Sequence, residues 1–303
     1  MRKVFIDSLI RLAEKDSRVF LVTADMGYSV LEPFQQKFPD RFLNSGVAEQ
    51  NTIGLAAGLA LSGYIPYVYS IIPFITMRCF EQIRVDVAYM QTNVRLIGVG
   101  AGFEYGPSGA THHALEDIAV MRTLAGMTIC CPGDNLEAEQ IINQSLDYKG
   151  PIYIRIGKNK EDIFHNLETE IKIGKAAVLK TGKKLAVIST SNMLGSAKLY
   201  ADKIFSESDF QPYLISMHTV KPLDTNLINK LIQENVDIIS IEEHSLIGGL
   251  GSAIAEYLCD VGANIKLKRI AVPDCFSHLV GDQSTLRSHF GLLDYKLPSS
   301  LIR

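Results

Sequence analysis

Apolar and polar residues alternate along this chain in two rhythms. The stretch "VFIDSLIRLAEKD" (4–16) spaces its apolar side chains three and four positions apart, as one face of a helix does. "VFLVTAD" (19–25) follows as a short continuous apolar run, the mark of a buried strand. The pairing repeats: "NTIGLAAGLALSG" (51–63) precedes "IPYVYSI" (65–71), and "MRCFEQIRVDVAYM" (77–90) precedes "VRLIGVGAG" (94–102). "TICCPGD" (128–134) reads as a further strand and "PIYIRIG" (151–157) as another. Between them "DNLEAEQIINQSLDY" (134–148) is a helix capped by Asp134 or Asn135, with acids in its first turn. Strands separated by helices predict a mostly parallel sheet wrapped by helices.

The polar stretch "GKNKEDIFHNLETEIKIGK" (157–175) breaks the rhythm. Alternation resumes at "KLAVISTS" (184–191) and runs through "VDIISIEEHS" (236–245) to "IKLKRIAVPD" (265–274). The expectation is an α/β protein of two consecutive domains with mostly parallel sheets, residues 1–165 and 175–303. A length of 303 residues suits two such units better than one core. The formal net charge of −3 argues against a nucleic-acid binder working through phosphate attraction. No uncharged apolar stretch reaches membrane-spanning length, and the charged start is not a secretory leader. Five cysteines without C-x-x-C spacing read as reduced thiols of a cytoplasmic protein.

Ligands of open α/β sheets bind beyond the carboxyl ends of the strands. Asp25-Met-Gly27, "GAGFEYGPSGATHH" (100–113) and "EEHSLIGGLG" (242–251) fall there. The 100–113 loop, with four glycines, a proline and adjacent His112 and His113, has the make-up of a working loop. The two histidines have no cysteine or carboxylate at ligand-like spacing, so no metal site is expected on this chain. "GGLGSA" (248–253) falls short of a dinucleotide fingerprint and reads as a tight turn opening a closely packed helix. Glu49, ahead of the Gly/Ala-rich 51–63 segment, is by itself only a carboxylate favoured by a helix start.

The combination says more. Gly46-Val-Ala-Glu-Gln-Asn51, Tyr69-Ser70…Phe74…Arg78-Cys-Phe-Glu-Gln-Ile-Arg84, Thr111-His-His-Ala-Leu-Glu-Asp117 and Pro132-Gly-Asp134 resemble the transketolase family. "TVKPLD" (219–224) and "EEHSLIGGLGSAIAE" (242–256) resemble its C-terminal domain, so the likeness spans the chain in the family's order. The family's G-D-G motif with a following Asn, which holds the diphosphate and Mg²⁺ of thiamine diphosphate, finds no match here. Gly133-Asp134 and Gly281-Asp282 have the wrong flanks. The resemblance therefore implies the pyrimidine-binding and C-terminal domains of a split, two-component transketolase. Its partner would be an N-terminal diphosphate-binding subunit that holds the Mg²⁺, in an α2β2 assembly.

The same resemblance implies roles. Glu49 would hydrogen-bond the cofactor's aminopyrimidine and activate it. Phe74 or Ile72 would stack on that ring, since Ser70-Ile-Ile-Pro-Phe74 departs from the family's S-T-F-x-x-F. His112 would serve the substrate's reacting carbon, with His113 and Glu104 as lesser candidates. Arg155 and Lys158 would contact a substrate phosphate, and Asp25 would line the crevice on the thiazolium side. The implied reaction moves a two-carbon ketol unit from a ketose or ketose phosphate to an aldose. Alternatives are the β-subunit of a 2-oxo-acid dehydrogenase, a deoxyxylulose-phosphate-synthase-like enzyme, or a non-catalytic partner. "HHALEDIAVMR" (112–122) favours transketolase, and the presence of both Glu49 and His112 disfavours a subunit without turnover.

Overall fold

The computed structural model describes residues 1–159 and 162–294, so the end of the expected second unit, 295–303, lies outside the described residues. Strands β1 (Val19–Thr23), β2 (Phe42–Asn44), β3 (Ile65–Ile71), β4 (Arg95–Val99), β5 (Thr128–Cys130) and β6 (Ile152–Ile156) build a first sheet. All six pair in parallel, as the alternation predicts. The strand β3 is buried along its whole length, which requires the continuous apolar run that the sequence shows. One face of the sheet packs Phe5, Leu9, Leu21 and Ile97; the other packs Val22, Ile53, Val68 and Leu96. The helix Arg2–Lys15 supplies Phe5, Ile6, Leu9, Leu12 and Ala13 from one stripe.

A second sheet contains β7 (Ala177–Lys180), β8 (Leu185–Ser189), β9 (Tyr213–Ser216), β11 (Asp237–Ser245) and β12 (Leu267–Val272), in the order β12-β11-β8-β9-β7. Among its described strands, β7 alone runs antiparallel to its neighbour. The segment 211–224 is divided between the two sheets. After β9 the chain leaves this sheet, and β10 (Thr219–Lys221) adds antiparallel to β5 at the edge of the first. The crossing is bonded on both sides: Met217 N donates to Ser189 O (2.8 Å), and Cys131 N donates to His218 O (2.6 Å).

Two other local expectations resolve. Asp134 is the cap of the helix Asn135–Ser145, its Oδ1 accepting from Glu137 N. At the glycine-rich turn of 248–251, the amides of Leu250 and Gly251 donate to the chain's own Glu242 carboxylate at 2.7 and 2.8 Å. That helix start is occupied by an internal anion, in keeping with a packing turn.

The expected single helix over 77–90 is broken. Pro73 opens a short turn, Ile72–Ile75; another turn covers Phe80–Gln82, and π-helical turns cover Ile83–Tyr89. Such irregular turns recur at functional sites because they re-aim side chains that a regular helix would bury. Among the described residues, no helix is long and apolar enough to cross a membrane.

Candidate active site

The carboxyl ends of β2, β3, β4 and β6 deliver the expected residues to one edge of the first sheet. Glu49 is the first residue of the helix Glu49–Leu61, where the amide dipoles favour a negative charge. It is 6% exposed. Its Oε2 accepts from Arg78 Nη1 at 2.8 Å. The same guanidinium lies over the ring of Phe74, 4.3 Å from Cζ to the centroid. Phe74 in turn meets His112 edge to face at 5.0 Å, and His112 lies 6.0 Å from the Tyr105 ring. Lys158 Nζ sits 4.4 Å above Tyr105. Glu49, Phe74, His112 and Lys158, far apart in sequence, thus form one strip joined by Arg78 and Tyr105.

The strip has an open side. Phe74 and Arg78 line a cavity of about 470 Å³ with Thr111, His113 and, from the second half of the chain, Phe276. Phe276 is exposed at its rim. Tyr105 is fixed from below by Gly100, whose φ of +89° and missing side chain leave room for the ring; a Cβ there would collide with Tyr105 Cε2.

His112 is half-buried and its Nδ1 pairs with Thr111 Oγ1 at 2.9 Å. Burial, then the charges of His113 and Arg78, push its pKa below the ordinary imidazole value. The ring is neutral near pH 7 and able to accept as well as donate. His113 is buried against Phe103, with Nε2 3.4 Å from Gly106 O. Burial lowers its pKa too. Its Nδ1 has no hydrogen-bond partner among the described residues.

Two expected site residues, Ile72 and Arg155, are placed otherwise. Ile72 is fully buried with Ala101 and Ala114, and it fills the space over Gly98, so it offers no face to the cavity. The turn at Pro73 swings Phe74 outward instead. Arg155 is 1% exposed and is not a substrate contact in this fold. Its guanidinium donates to Asp117 Oδ2, Ser191 Oγ and the carbonyls of Ala114 and Glu243, tying the two halves of the chain together. Asp25 lies on the same sheet edge, and its carboxylate accepts from Tyr28 and Asn44 at 2.9 and 3.0 Å. Those two contacts, that of Asn44 foremost, hold its pKa below the usual carboxylate range.

Glu104 is also buried and structural, accepting from the amides of Ala101 and Lys158. Arg78 and Tyr105 join the site without having been expected there. The available signal for Arg78 is its position four residues after Phe74, one helical turn away. Tyr105 has no comparable signal.

The residues suit a flat, protonatable heterocycle: a buried carboxylate at a helix start, an aromatic ring reached from it through one guanidinium, and an open side. Among the described residues, no cluster of histidine, cysteine and carboxylate groups could hold a metal ion.

Comparison with known proteins agrees on the family. Residues 1–161 match the transketolase pyrimidine-binding domain, and residues 174–294 match the transketolase C-terminal domain. The chain is 37% identical, over 96% of its length and 92% of the relative's, to a putative transketolase C-terminal section of Methanocaldococcus jannaschii. It is also 37% identical to one of the subunits of the apulose-4-phosphate transketolase of Phocaeicola vulgatus, over 96% of this chain and 93% of that one. A solved split-gene transketolase, described as an inactive β4 tetramer, superposes with a TM-score of 0.87 at 30% identity, covering 97% of this chain and 95% of that one. The chain belongs to the transketolase family, as a section that carries its pyrimidine-binding and C-terminal domains.

Proposed function

We propose that this chain is the pyrimidine-side subunit of a two-component transketolase, moving a two-carbon ketol unit from a ketose donor to an aldose acceptor. The observation that carries this reading is Glu49: a nearly buried carboxylate at a helix start, joined through Arg78 to the half-buried Phe74 and so to the strip that holds His112. When bound, thiamine diphosphate supplies the nucleophilic thiazolium carbon that the donor carbonyl requires. Glu49 would hold the proton on N1′ of its aminopyrimidine, because a carboxylate out of water is stable only when paired. Phe74 would orient the ring by stacking. His112, neutral near pH 7, would exchange a proton with the donor's hydroxyl oxygen.

Lys158 would meet the substrate's anionic end as a point charge. A relative named for apulose-4-phosphate supports a phosphorylated substrate. Relatives named as one subunit of a transketolase, or as its C-terminal section, support a partner polypeptide. That partner would bind the diphosphate and its Mg²⁺, and an α2β2 cytoplasmic enzyme is the natural assembly. A neighbour described as an inactive β4 tetramer fits a chain that needs such a partner.

Reconstitution tests the reading. The purified chain is mixed with a diphosphate-binding transketolase subunit, thiamine diphosphate and Mg²⁺, and ketose phosphates and 2-oxo acids are screened as donors. Ketol transfer from a ketose, present only in the mixture, is expected. Turnover by the lone chain, or a mixture that consumes only 2-oxo acids, contradicts it.

A further inference from the structure

One guanidinium, that of Arg78, makes both of the contacts assigned to the cofactor ring: it donates to Glu49 at 2.8 Å and lies 4.3 Å over the Phe74 ring. A guanidinium is planar, cationic and a donor, the same three properties as a protonated aminopyrimidine. While the guanidinium stays, the Phe74 face it covers and the Glu49 Oε2 it bonds are not open to the cofactor ring. We propose that Arg78 is a self-plug: without cofactor its guanidinium fills the slot between Phe74 and Glu49, and cofactor seating requires it to leave. The inference rests on the reading of Glu49 and Phe74 given above.

The geometry suits a part that moves. The Arg78 side chain is 44% exposed, whereas that of Glu49 is only 6% exposed. Arg78 can swing into the adjoining cavity, which it already lines, while Glu49 stays in place. Its backbone is held, with Arg78 N donating to Pro73 O at 3.3 Å, so the displacement belongs to the side chain. The physical need is also clear. A nearly buried carboxylate waiting for its ligand is costly if unpaired. Arg78 supplies the counter-charge until the ligand arrives, and the plugged state then competes with the cofactor.

Competition has a measurable sign. Removing a plug raises affinity, because binding no longer has to displace it. Removing an ordinary positioning residue lowers affinity. In the enzyme assembled with its diphosphate-binding partner, Arg78→Met is expected to bind thiamine diphosphate with Mg²⁺ about three- to tenfold tighter by calorimetry. Arg78→Lys keeps the charge but cannot lie flat on Phe74, so it should fall between Arg78→Met and the unmodified enzyme; it serves as the test if Arg78→Met does not assemble. Equal or weaker binding by the variant that assembles overturns the plug. A crystal structure of the loaded complex should show Arg78 away from Glu49 and off Phe74; Arg78 still paired with Glu49 overturns it as well. Failure of the underlying reading looks different: Glu49→Gln would leave proton exchange at the cofactor's C2 carbon intact, and the plug falls with it.

Discussion

Two arginine–carboxylate pairs of nearly the same length do opposite things in this molecule. Glu49–Arg78 spans 2.8 Å and Asp117–Arg155 spans 2.9 Å. In the second pair the side chains are 0% and 1% exposed, and Arg155 also holds Ser191 Oγ and the Glu243 carbonyl from the second half of the chain. In the first, the arginine is half in solvent and faces a cavity. Distance does not separate a structural clamp from an exchangeable contact. Burial of the second partner does, because only an open pair can trade its cation for a ligand.

The difference can be broken directly. Arg155→Met should cost about 3–5 kcal/mol in urea unfolding, because Asp117 is left as an uncompensated buried charge. Arg78→Met should cost less, about 1–2 kcal/mol: Glu49 loses its counter-charge, but the half-exposed side of the pair lets water reach the carboxylate. Equal losses would erase the contrast.

Smaller effects sharpen the picture inside the strip. His112→Asn is expected to lower kcat about 10²-fold with the fold intact by circular dichroism, as loss of a positioned proton carrier does. Lys158→Ala should raise the KM for a phosphorylated donor about tenfold while leaving kcat nearly unchanged, and Lys158→Arg should restore it. An unchanged KM means that the anion binds elsewhere. The smallest effect is electrostatic. The imidazole of His112 should titrate below ~6.5 by NMR, because burial first and then the His113 and Arg78 charges disfavour its cation. The sign follows: the neutral ring of the folded chain takes up its proton only at lower pH than in the unfolded chain, so this group costs stability as pH falls through ~6.5. Arg78→Met removes one of those charges and should move the midpoint upward.

Much of the fold was legible because parallel sheets write themselves as apolar runs between amphipathic helices. The site edge was legible for the same reason, since strand ends carry the glycines and polar residues. What stayed hidden depends on distant partners. Arg155, a charge inside an apolar strand, reads as a surface or ligand residue; its burial is possible only because Asp117 and the Glu243 carbonyl arrive from elsewhere. Phe74 and Ile72 were indistinguishable because the turn at Pro73 decides which side chain faces outward. The strand Thr219–Lys221 carries no local sign that it belongs to the first sheet. Its place comes from an edge left open beside β5.

The central claim is that Glu49 switches on a cofactor whose charged tail is held by another polypeptide. Deuterium exchange at C2 of thiamine diphosphate, followed by NMR after acid quench, tests it in the assembled enzyme. Glu49→Gln should slow that exchange by about 10²-fold or more while the two polypeptides still associate. Exchange at the unmodified rate, with the cofactor bound, would contradict it.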